Sequence, residues 1–224
     1  MADRILTLEQ LLAELEKYTY KELHVHHTWK PDHSNWRSKP DGLYWNQSMR
    51  NYHVNTLGWQ DIGQHVTLLP DGRFVTGRPF NKTPASISGY NTGAFAVEMI
   101  GNFDIGKDKL EGEQKKSIIE LARYFYKKGR YIRFHRENSA KTCPGSGIDK
   151  EEFMREVRGE VENMNTKNEY VLRIQTVLKN AGIDPGPLDG VPGPKTLKGV
   201  ETAIETITIL TKRIESIKNY VKNA

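Results

Sequence analysis

The sequence predicts an α/β domain with a central mixed β-sheet flanked by helices, followed by a small all-α C-terminal module. Three features carry that expectation. From Leu6 to Val157, short runs of strand length take turns with helix-period stretches, the pattern of a sheet with helices packed on it. One run, Ala94 to Ile100, is apolar on both sides of a single Glu98, as a central buried strand would be. From Gly159 to Asn168 the sequence turns polar and patternless, and a Pro/Gly loop between helical stretches follows. The expected boundaries are therefore 1–158 for the first domain, 159–168 for a linker and 169–224 for the second module.

Each element has its own justification. Leu6 to Lys17 spaces Leu8, Leu11, Leu12 and Leu15 for one helix face, with Thr7 ahead of Glu9 and Gln10 as its start. Glu22 to Trp29 alternates Leu23, Val25 and His27 with His24 and His26, a strand. Lys30 to Gly42 is rich in turn formers and reads as a loop; Ser48 to Leu57 reads as a helix stopped by Gly58. His65–Leu69 and Arg73–Gly77 flank Pro70-Asp71-Gly72, the chemistry of a hairpin. The Gly/Asn/Thr loop Ser88–Gly93 leads into the Ala94 strand. Glu111 to Tyr126 is strongly amphipathic, Tyr131 to Phe134 is a short strand delivering His135, and Asp149 to Val157 closes the domain as a helix.

Hydrophobic residues make up 37% and charged residues 27%, and no stretch approaches the ~18 apolar residues of a membrane span, so membrane insertion is not expected. The N-terminus shows no apolar signal region, which leads to the expectation of cytoplasmic synthesis. The net charge of +5 favours anionic partners such as nucleic acid, anionic lipid or wall polymer. The lysines and arginines form no block, however, so a mildly basic surface with no single partner is an equal reading, and no nucleic-acid partner is expected. The lone cysteine, Cys143, rules out an intrachain disulfide.

The residues with chemical potential are few: His26 on the first strand, Glu98, and His135, Lys141 and Cys143 within His135–Pro144. Two imidazoles and a thiolate form a common three-ligand catalytic zinc set with the fourth position open to water. The bland alternative is two unrelated histidines and a buried thiol. A carboxylate amid Ala-Val-Glu-Met-Ile needs a partner, which a metal site or a salt bridge would supply equally well.

Several motifs occur in order at fitting spacings: His26-His27-Thr28, Gly58-Trp59-Gln60-Asp61-Ile62-Gly63, Asp71-Gly72, Gly77-Arg78, Gly89-Tyr90-Asn91, Val97-Glu98-Met99 and His135 through Pro144. Together they resemble the type-2 N-acetylmuramoyl-L-alanine amidases, whose fold is shared with peptidoglycan recognition proteins and phage amidases, over roughly residues 20 to 158. The resemblance implies Zn2+ held by His26, His135 and Cys143, with His27 pointing to the other side of its strand. It implies Lys141 facing the scissile carbonyl and Glu98 as the acid/base of one branch of the family. Another branch carries a catalytic tyrosine where this chain has Gln64, so the acid/base role falls to Glu98. The implied activity is cleavage of the amide between N-acetylmuramic acid and L-alanine in bacterial peptidoglycan.

Around that site, Asn91 could bind the stem peptide or form a turn, and Trp29 could stack on a sugar or belong to the core. His65 could orient substrate or be structural. Relatives that bind peptidoglycan without cutting it typically lack the thiolate, so that alternative is disfavoured, as is a muropeptide-recycling amidase by the appended module.

In that module, a helix through Ile174–Gly182, the loop Asp184–Gly190 and a second helix opened by Pro194-Lys195 are similar to a small peptidoglycan-binding domain. The tail departs from it: Ile207, Ile214 and Val221 repeat every seven residues with Leu210 and Ile217 between them. Packing of this stripe within the chain, and a monomer, is the expectation; pairing with a second chain is the alternative. A wall module without an export signal points to a phage or prophage endolysin that reaches the wall after release.

Overall fold

The computed structural model describes residues 3–160 and 169–222. The chain divides into two compact units, Met1–Glu160 and Val161–Ala224. The division falls in the segment expected as a linker, most of which, 161–168, lies outside the described residues.

The first unit is built on a six-stranded mixed sheet in the order β1-β4-β3-β5-β2-β6. The strands are β1 (Ile5–Leu6), β2 (Glu22–His27), β3 (Val66–Leu68), β4 (Phe74–Thr76), β5 (Ala94–Met99) and β6 (Tyr131–Phe134). β2 runs parallel to both β5 and β6, and β3 parallel to β5, while the β3–β4 hairpin and β1 are antiparallel. The predicted class therefore holds, with a parallel centre and an antiparallel edge.

Side-chain alternation divides the sheet into a core face and a site face. Leu23 and Val25 of β2, Phe95, Val97 and Met99 of β5, and Ile132 and Phe134 of β6 join the main core. Helices α1 (Leu8–Leu15), α4 (Gly112–Lys127) and α5 (Lys150–Arg158) add Leu11, Leu15, Ile118, Leu121, Phe125, Phe153 and Val157 to it. Burying each such large side chain contributes about 1.5–3 kcal/mol before entropy is subtracted. α1 starts at a capping box: Thr7 Oγ1 accepts from the Gln10 N–H, and Gln10 Oε1 accepts from the Thr7 N–H.

Two departures from expectation concern short elements. Leu6, counted into the first helix, instead belongs to β1, whose Ile5 and Leu6 pair with Val75 and Phe74. The expected loop Lys30–Gly42 contains α2 (His33–Ser38), capped by Asp32, whose Trp36 packs with Leu69, Val75 and Ile100 in a second cluster. α3 (Gly42–Asn55) begins six residues before its expected start, at an Asp41 cap.

In the second unit, α6 (Glu169–Asn180) and α7 (Pro194–Lys222) enclose a mainly polar centre. Gln175 is buried, donating to Asp189, Val191 O and Thr196 Oγ1 and accepting from the Gly190 N–H. Leu178 is the buried aliphatic side chain beside it, against Gly199. The expectation that the seven-residue stripe packs within the chain fails. α7 runs on past the module's centre, and Ile207, Leu210, Ile214 and Ile217 are 50–62% exposed, while the Val221 side chain lies outside those described. No helix among the described residues is long and apolar enough to cross a membrane.

Candidate metal centre and cleft

β2 carries Glu22, His24 and His26 on its site face, and its register with β5 sets His26 beside Glu98. β6, on the other flank of β2, ends at Phe134 and hands the chain to His135. The loop that follows must return Cys143 to the same place. Arg136 holds it there: its N–H donates to Cys143 O, and its guanidinium donates to Gly145 O and Ile148 O.

As a result, one donor atom each from His26, His135 and Cys143 lies within 4.8 Å of the others. Cys143 Sγ is 3.5 Å from His26 Nδ1, and the two imidazole rings are 4.7 Å apart. The His27 N–H points at the sulfur from 3.4 Å. Among the described residues this is the one cluster able to hold a metal ion, and it offers three protein donors and no fourth. His27 itself faces the other way, as its place on the strand requires: its Nδ1 accepts from the Phe103 N–H, and its ring stacks on Phe103.

The donor set stands in a cleft of about 570 Å³. Glu98, Lys141, Trp29, Gln64, Ser86 and Asp104 also line it, and Tyr52, His53 and Trp59 form a wall from the end of α3 onward. Burial holds His26 well below the usual histidine range, and neighbouring His135 and other cationic groups add to the effect. Burial, then Lys141, lowers His135. Burial pushes the Cys143 thiol up, reinforced by Glu98. Glu98 is pushed up to about 8 by burial, opposed by the Lys141 ammonium.

The remaining expectations divide. Trp29 lines the cleft, is 59% exposed and has a φ of 58°, a conformation that costs a bulky residue about 1–3 kcal/mol. It is no core aromatic. His65 is corrected: it is fully buried and stacks on Phe95 at 4.9 Å. Its Nδ1 accepts from the Ala96 N–H and its Nε2 donates to Lys82 O, so no ring nitrogen is left for substrate. Asn91 lies outside the cleft lining, and its Oδ1 accepts from the Ser86 and Ile87 N–H groups, closing the loop that presents Ser86 as a turn-former would. Gln64 lines the cleft with its amide tied to Thr67 Oγ1 at 2.9 Å, and it offers no titrating group.

Sequence reasoning missed His24, Ser86, Tyr52 and Trp59. The last carried a signal in the Gly58–Gly63 motif: a Cβ on Gly63 would lie 2.8 Å from the Trp59 ring, so this glycine lets the indole seat against the backbone.

Comparison with known proteins follows the same outline. The family described as N-acetylmuramoyl-L-alanine amidase matches residues 16–146. Peptidoglycan-recognition protein SC1a of Drosophila melanogaster is 33% identical over 107 residues, 46% of this chain and 57% of that protein. The chain thus spans little more than half the length of the curated relatives it matches. Among solved structures, the endolysin N-acetylmuramoyl-L-alanine amidase LysCS from Clostridium intestinale URNW superposes with a TM-score of 0.51 at 26% identity, over 63% of this chain and 85% of that one. PGRP-SA of Apis mellifera gives 0.51 at 24% identity over 59% and 81%, a likeness of fold.

Proposed function

The chain belongs to the N-acetylmuramoyl-L-alanine amidase family, and we propose that it is a zinc-dependent hydrolase cutting the amide between N-acetylmuramic acid and the L-alanine of the stem peptide. The convergence of His26, His135 and Cys143 beside Glu98 in one open cleft carries this reading. Two imidazoles and a thiol suit zinc, and three protein donors with a cleft on the remaining side suit a catalytic rather than a structural site. Bound there, zinc would supply Lewis acidity at the scissile carbonyl and make water nucleophilic near neutral pH.

The chain's own residues do the rest. Glu98, at the register position of His26, takes a proton from the attacking water and returns it to the leaving L-alanine nitrogen. Lys141 places an ammonium in the cleft to stabilise the developing oxyanion. Trp29 offers an exposed ring face to a sugar. The thiolate precursor and the carboxylate together favour cutting over recognition alone. The likeness to an endolysin amidase and the appended helical module support a phage or prophage endolysin, with the module holding the wall.

Mass spectrometry of purified walls digested by the zinc-loaded protein and by Glu98→Ala tests this. New N-terminal alanine on released stem peptides, absent with the variant, is the expected result. Intact muramoyl–alanine links despite bound zinc and wall binding would move the protein to the recognition class.

A further inference from the structure

Behind His26 runs a chain of hydrogen bonds that the cutting reaction does not use. His26 Nε2, the ring nitrogen turned away from Cys143, lies 2.6 Å from Ser86 Oγ. The same hydroxyl lies 2.9 Å from His24 Nδ1. His24 Nε2 lies 2.9 Å from Glu22 Oε1, and Glu22 Oε2 accepts from Arg133 Nε at 3.0 Å. Glu22, His24 and His26 share one strand face, and Ala96, the register partner of His24, adds only a methyl group there.

The direction of this chain is fixed by proton counting. A carboxylate paired with Arg133 only accepts, so His24 Nε2 carries its hydrogen. His24 is fully buried with the Glu22 charge already offset, so its ring is neutral and Nδ1 accepts. The Ser86 hydroxyl therefore donates to His24, and its oxygen accepts from His26 Nε2. That leaves the Nδ1 lone pair of His26 facing Cys143 Sγ and the metal position.

We propose that Ser86 is a positioning residue: backed by His24, Glu22 and Arg133, its hydroxyl fixes both the tautomer and the rotation of the His26 ring for metal binding. The proposal rests on the zinc reading above. The loop that brings Ser86 into place is itself held by Asn91 Oδ1, which accepts from the Ser86 N–H at 3.0 Å and the Ile87 N–H at 2.8 Å.

The test uses the full chain and zinc alone. Zinc affinity is measured by competition with a chromophoric chelator for wild type, Ser86→Ala and Ser86→Thr, with melting curves to show that each is folded. Ser86→Ala should bind zinc about 10–100-fold more weakly, and Ser86→Thr, which keeps the hydroxyl, should recover most of the loss. In the zinc-free protein, ¹⁵N shifts of the His26 ring should report the Nε2-protonated tautomer in wild type and a mixture in Ser86→Ala. Equal zinc affinity and an unchanged tautomer in a folded Ser86→Ala overturn the relay alone. A wild-type protein that holds no zinc overturns the metal reading, and the relay with it.

Discussion

At the residue scale, environment decides which polar side chain does chemistry. Glu98 and His65 both sit in surroundings that penalise charge, yet only Glu98 borders the cleft. Glu98→Gln preserves shape and hydrogen bonding but removes the proton carrier. It should leave zinc affinity within a few-fold and lower kcat about 10²–10⁴-fold on a soluble muramoyl peptide; an active Gln variant would remove Glu98 from the mechanism. His65 should show itself in stability instead. Burial pushes its pKa down to about 4, against 6.5 when unfolded. Between those values the unfolded chain binds a proton that the native ring refuses, so stability is complete above pH about 6.5 and falls as pH drops toward 4. The span corresponds to about 3 kcal/mol. His65→Gln, followed by denaturant unfolding of the zinc-free protein at pH 7 and pH 4.5, should show a shallower acid decline than wild type. An identical decline would mean that His65 does not titrate this way. The convergence of His26, His135 and Cys143 was legible because a motif reports residue type and spacing. His24 and Ser86 were not, because a serine 60 residues from the histidine it meets gives no local pattern. His65 was misjudged because sequence shows a polar atom without showing its partner.

At the element scale, the site depends on a loop as much as on strands. β2, β5 and β6 announced themselves as apolar or alternating runs. β1 and α2 did not: two paired residues are too few for a period, and α2 is polar with a single buried side chain, Trp36. The loop returning Cys143 is held where Gly145, at φ +125°, passes Phe103 so closely that a Cβ would lie 2.5 Å from its backbone C and O. Gly145→Ala should therefore do two things: destabilise the fold by about 2–3 kcal/mol and displace Cys143, weakening zinc at least tenfold. Gly106 is the control, since at φ +79° an added methyl group would meet nothing within 4 Å. Gly106→Ala should show only the conformational cost, about 1 kcal/mol, with zinc affinity unchanged. Calorimetry and chelator competition on both variants separate crowding from backbone preference. Equal zinc affinity in the two would mean that the approach to Phe103 does not place the thiol.

At the scale of the whole molecule, the two units differ in what holds them together. The first has a continuous apolar core on one sheet face and carries every residue of the proposed site. The second centres on the hydrogen-bonded Gln175 and Thr196 with Leu178 beside them, while the far half of α7 leaves its isoleucines in water. A core of that size supplies at most about 3–5 kcal/mol, so the second unit should unfold first, in a separate step from the first. A fragment ending at Glu160 should then reproduce the upper transition of the full chain, bind zinc with the same affinity and cleave a soluble muramoyl peptide at the same kcat/KM. If the second unit is the wall-holding module proposed above, the fragment should pellet with purified walls less than the full chain does, and it should digest intact walls more slowly despite its equal rate on the soluble peptide. Scanning calorimetry, chelator competition and wall co-sedimentation of the two proteins give each result separately. Undiminished sedimentation would assign wall binding to the catalytic cleft itself and leave the helical unit without that role, whereas a fragment that fails to fold would show that the sheet depends on residues beyond its own core.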